Sequence, residues 1–455
     1  MSLTTYFGVH NHTMYSNIRL LDCINRPDKL IDKAIEFGLS GIAITDHECL
    51  SAHMEVNQYA KKLRETHPDF TIALGNEIYL TDTRDNGQKY YHFILIAKDA
   101  LGHRALRELS SIAWKNSYVD RRMERVPTLK SELSEIINKY KGHVIATTAC
   151  LGGELSANAL LMSEAQKVND TKSAQYFYNE ICSFVEYCLN LFGNDFYIEC
   201  APSTKWDQVA VNNKLYAIAK AYNIPLVVGT DAHYMTLQDR EIHKAYLNSK
   251  EGEREVDDFY EFARLMTADE CRELLNVSFE SNYVVDQIFA NTLALQEKIT
   301  WYSLERKQII PKVAVKEYEF DDWTYVPGLI MDNFDHHWFT IQKLICSQDS
   351  QERYWIQECL KSLWEKGLEH NREYWDRLEI EADVIKHIGK QLDDCLFAYF
   401  NTFKHYIDLF WECGSIVGPG RGSATGFLSN YLLGITQLDP IRWNLPYWRL
   451  TLINY

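Results

Sequence analysis

No run of 18 or more apolar residues occurs in the 455-residue chain, which argues against a transmembrane helix. The first residues, MSLTTYFGVHNH, lack the basic segment and long apolar stretch of a secretory signal. The eleven cysteines contain no CxxC pair, so they do not form a disulfide framework and they fit a reducing compartment. These absences predict a cytoplasmic protein with no membrane partner.

Basic residues are fewer than acidic ones: the chain has 47 Lys and Arg and 63 Asp and Glu, which gives a net charge of −16. A surface that clamps nucleic acid without specificity is usually basic, so the charge counts against DNA binding over the whole surface. A local basic track is still compatible with it. The segment VDRRMERVP, with Arg121, Arg122 and Arg125, is one candidate, and a solvated helix face is the alternative.

Seven strand-like runs precede residue 235, and they are apolar and β-branched, as strands buried on both faces should be. They are YFGVHNH, GIAITDH, FTIALGNEIYL, HFILIA, GHVIATTAC, DFYIEC and IPLVVGTDAHY. Helical stretches such as PDKLIDKAIEFGLS separate most of them, which predicts an α/β fold with a parallel sheet closed into a distorted seven-stranded barrel. We expect this domain to occupy residues 1–250, an acidic and helical linker 251–290, and a mainly helical region with a glycine-rich loop 291–455.

Residue types that bind metals recur at the edges of these strand-like runs. They are His10, His12, Asp46, His47, Glu77, His92, Cys150, Asp231 and His233. Strand ends meet on one face of an α/β barrel, so ligands far apart in sequence can share one site. Asp46 and His47 should point opposite ways on a strand, which places one of them, taken as Asp46, beside the ligands instead of among them. His92 precedes its strand, the least natural position in a simple barrel.

Imidazoles mixed with carboxylates suit Zn²⁺, Mn²⁺ or Fe²⁺. More than six candidate ligands imply at least two ions, because each Zn²⁺ takes about four. Paired divalent ions are the usual device for hydrolysing phosphoesters, so the pattern predicts a metal-dependent phosphoesterase. Cys150 has an alternative role as a buried structural thiol.

These motifs resemble the polymerase-and-histidinol-phosphatase (PHP) family, which has a seven-stranded barrel and a three-metal site. The resemblance maps the ligand positions onto His10, His12, Asp22 in RLLDC, His47, Glu77, His92, Cys150, Asp231 and His233. It implies two or three divalent ions and an active phosphoesterase of the 3′–5′ exonuclease type. One departure is TDHECLSA, where Glu48 stands at the place of a glycine that the family more often has after the DH pair.

The second motif is GSIVGPGRGSATGFLSNYLLG, in which Gly420, Arg421, Gly422 and Ser423 are predicted to form a turn between a strand and a helix. Amides at a helix N-terminus bind anions, and the Arg421 and Ser423 side chains would add donors. The alternative is a tight structural turn. The wider string resembles the nucleotide-binding loop in the palm of bacterial C-family replicative polymerases, the DNA polymerase III alpha family.

That second resemblance implies a deoxynucleoside triphosphate at the loop and DNA, as a single strand or a primer 3′ end, as substrate. The family's catalytic aspartates, which bind two Mg²⁺ ions, follow the loop, and no aspartate cluster follows it here. We therefore expect an N-terminal portion of a split or truncated polymerase that does not polymerise DNA alone and needs Mg²⁺ only once its palm is completed. A second polypeptide would carry the rest of the palm, the thumb and the fingers. The alternatives are a stand-alone phosphoesterase and a non-catalytic, metal-braced scaffold.

Overall fold

The computed structural model describes residues 3–18, 21–85, 87–120, 123–249, 260–316 and 338–449. The chain divides into two compact units, residues 1–306 and 307–455. No helix in these ranges is both long enough and apolar enough to cross a membrane.

The first unit contains a mixed sheet and its covering helices. The strands are β1 (Phe7–Gly8), β2 (Gly41–Ile44), β3 (Thr71–Thr81), β4 (Tyr91–Ala97), β5 (Tyr118–Asp120), β6 (Met123–Arg125), β7 (Pro127–Leu129), β8 (Val144–Thr147), β9 (Phe196–Cys200) and β10 (Leu226–Val228). The main path through the sheet is β1-β2-β3-β4-β8-β9-β10, while β7 pairs with β3 and β5 pairs with β6. The seven strands of the main path are the seven that the sequence predicts.

The two ends of this path meet just beyond β1 and β10. Asn11 forms a parallel bridge with Ala232. The backbone N–H of His12 donates to the Ala232 carbonyl at 3.1 Å, and the N–H of Ala232 donates to the His10 carbonyl at 3.4 Å. These bonds nearly close the sheet, which confirms the predicted seven-stranded α/β barrel.

One strand of the barrel runs against the others, so the prediction of a parallel sheet is wrong at β4. This strand pairs antiparallel with β3 and with β8, and its register places His92 opposite Tyr79. The reversal follows from the short connection between β3 and β4, since its described residues 82–85 and 87–90 contain no helix to carry the chain back across the barrel. The beginning of β4 therefore lies where the other strands end.

Ten helices belong to the first unit. They are α1 (Pro27–Glu36), α2 (His53–Leu63), α3 (Ala100–Lys115), α4 (Lys130–Lys139), α5 (Glu154–Lys167), α6 (Thr171–Phe192), α7 (Trp206–Tyr222), α8 (Arg240–Leu247), α9 (Ala268–Phe279) and α10 (Asn282–Gln296), counted over the described ranges. α1 shows how the sequence sets their bounds: Pro27 opens its first turn, and Gly38, with φ of +73°, follows its end.

Both faces of the strands are buried. On β2, Ile42 and Ile44 join the large apolar cluster that includes the helices, whereas Ala43 joins a separate cluster with Phe7 and Ile94 from neighbouring strands. This alternation fills the space inside the barrel and covers its outside with helices. The barrel is therefore a packed scaffold whose strand ends are free to carry a site.

The predicted linker, 251–290, has two parts. Its acidic beginning at 251–259 lies outside the described residues. The rest includes α9 and most of α10, and α10 packs against β1 and β10 of the barrel. The described part of this segment thus belongs to the first unit.

The second unit is helical in its described part, as predicted. It contains α11 (Phe339–Ile345), α12 (Ser350–Glu365), α13 (Arg372–Leu392), α14 (Phe397–Glu412) and α15 (Leu428–Leu432). Its core is aromatic: Trp355 packs edge-on against Phe397, and Phe400 stacks on Phe427.

The structure differs from the prediction around the glycine loop. Residues 415–421 of the described range 338–449 have no regular secondary structure, although a strand is predicted at Ser415–Val417. The predicted long helix after the loop is a 3-10 turn at Gly422–Gly426 followed by the five-residue α15. The backbone packs closely at the break, since a Cβ at Gly426 would lie 2.4 Å from the Pro446 carbonyl oxygen.

Candidate metal centre

His10 and His12 follow β1 and point to the same side of the extended chain. Both side chains are fully buried, and their Nε2 atoms lie 3.0 Å apart. The HxH spacing produces this arrangement because side chains alternate along an extended segment. Two imidazole nitrogens that face each other inside the protein are arranged to share a cation.

Glu77, on β3, lies at the centre of the cluster. Its Oε2 atom is 2.5 Å from His47 Nδ1 and 3.4 Å from His12 Nε2. Its Oε1 atom is 3.0 Å from His92 Nδ1 and 3.5 Å from His10 Nε2. One carboxylate therefore faces four imidazoles, and the antiparallel direction of β4 explains how His92 reaches it.

Asp231 and His233 lie near the C-terminal end of the barrel domain in sequence, just after β10. Asp231 Oδ1 is 3.1 Å from Nε2 of both His10 and His12. Its backbone is left-handed, with φ of +47°, and Asp231 Oδ1 lies 3.5 Å from His233 Nδ1. The turn after β10 thus folds the second pair of predicted ligands onto the first.

Two further predicted ligands lie at the margins of the cluster. Asp22 Oδ2 is 3.6 Å from His47 Nε2 and 4.0 Å from His233 Nε2. The thiol of Cys150 is 3.6 Å from His92 Nδ1. Burial raises the pKa of Cys150 well above its usual value, so without a metal it is a neutral thiol.

Three overlapping groups of side chains have ligand atoms within 4.8 Å of one another. They are His12–His47–His233, His10–His12–Glu77 and His47–Glu77–His92. Both carboxylate oxygens of Glu77, and Oδ1 of Asp231, are buried and accept no hydrogen bond of normal geometry from the described residues. Overlapping groups around oxygens that lack hydrogen bonds fit more than one divalent ion.

The charges in the cluster also suit metal binding. Burial opposes ionisation of Glu77, but His92, His47 and His10 hold its pKa well below the usual value. Burial lowers the pKa of His12 to about 4. Near neutral pH the carboxylate is ionised and the His12 imidazole is neutral, which are the states that a metal ligand requires.

Glu199 is a residue of the site that the sequence prediction missed. This buried side chain of β9 contacts His10 Nδ1 through Oε1 at 2.6 Å, and its Oε2 accepts a 2.6 Å bond from the Thr147 hydroxyl. A Cβ at Gly229 would lie 2.0 Å from Glu199 Oε1, so only glycine leaves room for this carboxylate. The contact fixes the orientation of the His10 ring. The sequence offered one indication of this residue, namely that a glutamate stands inside the apolar run DFYIEC.

Asp46 lies beside the cluster and is linked to His12 by hydrogen bonds through Ser16. Its carboxylate accepts bonds from the Thr13 backbone N–H at 2.6 Å and from the Ser16 hydroxyl at 2.7 Å. Ser16 Oγ is in turn 3.0 Å from Nδ1 of His12. Burial raises the pKa of Asp46 to about 6. This geometry gives Asp46 a positioning role toward His12.

Glu48, which departs from the family pattern, keeps the left-handed backbone that suits a glycine at this position. Its φ is +52°, a conformation that favours glycine. The turn is held by two bonds, from the Glu48 N–H to the Glu77 carbonyl at 2.7 Å and from the Trp114 indole to the Glu48 carbonyl at 2.8 Å. The turn after His47 therefore keeps a glycine-like shape without a glycine.

The predicted basic track is only partly visible. Arg121 and Arg122 lie outside the described residues, whereas the Arg125 guanidinium lies 5.5 Å from the centre of the Tyr90 ring. Tyr90 stacks on Tyr79, and Tyr79 stacks on His92 with ring centres 4.7 Å apart. Arg125 thus ends a row of stacked rings that begins at the metal cluster.

The glycine loop in the second unit has backbone conformations that favour glycine. Gly420 and Gly422 have φ of +107° and +68°, and Arg421 between them is exposed. The Thr425 hydroxyl bonds back to the Gly422 carbonyl at 2.9 Å. The predicted turn is present and presents an arginine side chain to solvent.

The amides at the start of α15 are already occupied. The carboxylate of Glu381, a buried residue of α13, accepts the N–H of Leu428 at 2.7 Å and of Ser429 at 2.8 Å. These two amides are therefore not available to a phosphate, while the predicted anion site at Gly420, Arg421, Gly422 and Ser423 stays a prediction.

Comparison with known proteins places both motifs in named families. Residues 8–203 match the PHP domain, and residues 343–451 match the bacterial DNA polymerase III alpha NTPase domain. The chain is 38% identical to a DNA-directed DNA polymerase of Bacillus phage SPbeta, over 97% of this chain and 35% of that protein. It is 28% identical to the DNA polymerase III subunit alpha of Aquifex aeolicus, over 96% of this chain and 34% of that protein.

The chain spans about a third of the length of these relatives. The PHP match covers the barrel strands from β2 to β9 and includes seven of the nine predicted ligand positions, while β10, Asp231 and His233 lie beyond its end. The two domains occur in this order along the chain, and the relatives align with nearly all of it. The chain is therefore of the DNA polymerase III alpha type and corresponds to the N-terminal portion of those polymerases.

Proposed function

We propose that the barrel is a metal-dependent phosphodiesterase that removes nucleotides from the 3′ end of DNA. The observation that carries this proposal is the position of Glu77 among four imidazoles, with the three overlapping ligand groups around it. Two or three ions of Zn²⁺, Mn²⁺ or Fe²⁺ would suit these nitrogen and oxygen donors.

The nine predicted ligands would hold these ions, and Glu199 would orient His10 from outside. When bound, the ions supply a water of lowered pKa and positive charge next to the phosphoryl oxygens. The overall step adds the oxygen of water to phosphorus and breaks the bond to O3′ of the preceding nucleotide. One proton of the water passes to that leaving oxygen, so the products are a 3′-hydroxyl and a nucleoside 5′-monophosphate.

The test combines metal analysis with a 3′-end-labelled single strand of DNA. We expect the purified chain to contain at least two equivalents of metal and to shorten the strand from its 3′ end with Mn²⁺ or Zn²⁺. A chelator should stop the reaction. In His12→Ala, which loses a member of two ligand groups, activity should fall to background while the circular dichroism spectrum stays unchanged. Equal cleavage by His12→Ala and the parent would reject this site as the source of activity.

A metal-braced scaffold is the competing function. Here the cluster would stabilise the barrel without chemistry, so chelation would lower the melting temperature while no DNA cleavage would be found. The orphaned oxygens of Glu77 and Asp231 favour metal binding under either function. Only the DNA assay separates them.

We further propose that the second unit contributes to nucleotide binding through the exposed Arg421 of its glycine loop. The match to a polymerase III alpha domain over residues 343–451 supports this role. A charge-assisted bond to phosphate contributes about 1.5–3 kcal/mol. Arg421→Ala should therefore weaken binding of a deoxynucleoside triphosphate about tenfold or more in an equilibrium titration, whereas the exposed Arg442→Ala serves as the control. Equal affinities of the parent and Arg421→Ala would contradict the proposal.

The relatives are DNA polymerases, so we propose DNA and deoxynucleoside triphosphates as partners in the cytoplasm. The second polypeptide with the rest of the palm, the thumb and the fingers stays a prediction. Co-purification of such a polypeptide with this chain, and DNA synthesis by the pair, would test it. No synthesis by any such pair would reject the split polymerase.

A further inference from the structure

A cleft lies directly beside the metal cluster. Cys150 and Asp231, two of the predicted ligands, form part of its wall. A substrate group held at the metals would therefore extend into this cleft.

The wall of the cleft beyond the ligands is mostly apolar. Leu151, Pro202 and Phe262 line it, and the ring of Phe262 is partly exposed. Apolar and aromatic walls of this kind accept the face of a base or a sugar without reading its sequence. The cleft thus suits the nucleoside part of a substrate whose phosphate is at the metals.

Polar side chains also line the same wall, and two of them, Thr230 and Lys205, could contact a ligand. Thr230 is 3% exposed, and its hydroxyl makes no hydrogen bond to any residue that the structure describes. Lys205, at the rim, pairs with Glu261 through a 3.0 Å contact. A buried hydroxyl without a partner costs free energy unless a ligand or water bonds to it, so Thr230 marks a ligand position.

We propose that this cleft holds the 3′-terminal nucleoside of a DNA strand whose last phosphodiester lies at the metal cluster. The proposal rests on the phosphodiesterase function proposed above, and it adds the residues that hold the substrate. Phe262 provides the apolar surface, the Thr230 hydroxyl bonds the sugar or base, and Lys205 faces the phosphate backbone. The carboxylates of Asp207 and Asp231 in the same wall make the metal-free cleft a poor anion site. Binding of a nucleotide therefore depends on the metals.

The first test measures binding without turnover. Deoxythymidine 5′-monophosphate, a product of the proposed reaction, is titrated by calorimetry into the full chain with metal and after chelation. We expect binding only with metal, and about tenfold weaker binding in Phe262→Ala because stacking of a base is lost. Tyr283→Ala, which removes a ring that is 73% exposed and outside the cleft, is the matched control. Equal affinities of Phe262→Ala and the parent would overturn the proposal.

The second test separates the cleft from the chemistry. The ratio of kcat/KM for single-stranded DNA to kcat/KM for bis(4-nitrophenyl) phosphate should fall about tenfold in Phe262→Ala and in the rim variant Lys205→Met. If the parent cleaves DNA and both variants keep the ratio, the cleft proposal fails while the phosphodiesterase stands. If the parent binds the monophosphate but cleaves neither substrate, the phosphodiesterase fails and the cleft stands.

Discussion

Glu77→Gln is expected to lose at least one metal equivalent and to lower DNA hydrolysis by more than about a hundredfold. Changes to groups that only support a metal ligand already cost 10–100-fold. Glu77 faces four imidazoles directly, so its loss should cost more. The amide has nearly the same shape but is neutral and has one oxygen in place of two. Metal analysis after gel filtration, together with the 3′-end-labelled assay, measures both effects.

Glu199→Gln is the matched control for this variant. The same change of a buried glutamate to glutamine is made at a residue that contacts His10 but belongs to none of the three ligand groups. Its loss of metal affinity should stay within about 10–100-fold, and excess metal should restore its activity. Full metal content and parental activity in Glu77→Gln would contradict the central role of this carboxylate.

Glu381→Ala is expected to lower the free energy of unfolding of the second unit by about 3–5 kcal/mol, the usual cost of removing one partner from a buried ion pair. The carboxylate is fully buried, holds two amides of α15 and accepts a 3.0 Å bond from Arg377. Its removal leaves the two amides and Arg377 Nε without this acceptor, while Arg377 Nη2 still donates to the carbonyls of Gly426 and Leu445. Denaturant unfolding followed by tryptophan fluorescence measures the change. The transition of the second unit is identified as the one that a chelator does not shift, because the metal cluster lies in the first unit.

A neighbouring residue on the same helix provides the control. Glu379 of α13 accepts the backbone N–H groups of Thr340 at 2.7 Å and Ile341 at 2.9 Å, but it is only partly buried. Glu379→Ala should therefore cost about 1 kcal/mol, as for the loss of an ordinary helix cap. If the two variants were equally stable, burial of Glu381 would not be the cause, and the argument from the Arg377 pair would fail.

The positions of the site residues could be predicted because the pattern is local. Each strand-like run is identifiable from its apolar residues, and the residue types at its end are unusual for a buried position. His10 and His12 show this most clearly, since period-two spacing alone places both rings on one side. The direction of β4 could not be predicted in the same way. The direction depends on the short connection after β3, and the position of His92 before its strand was the indication of it in the sequence.

Contacts between segments far apart in the chain could not be predicted from local sequence patterns. Glu199 reads as one polar residue in an apolar strand, and its role depends on His10, 189 residues away. In sequence, Glu381 is an ordinary acidic residue of a long helix, yet its carboxylate accepts two backbone amides at the start of α15, 47 and 48 residues away. In both cases the partner is chosen by packing, which local patterns of residue type do not record.

Closure of the barrel between Asn11 and Ala232 sets the order of events when the protein is made. The atoms nearest His12 Nε2 include Asp231 Oδ1, 3.1 Å away, so two of the ligand types meet only after more than two hundred residues have left the ribosome. Such contacts between remote parts of a chain form late and slowly. The nascent chain thus cannot assemble the complete cluster until the segment after β10 has been made.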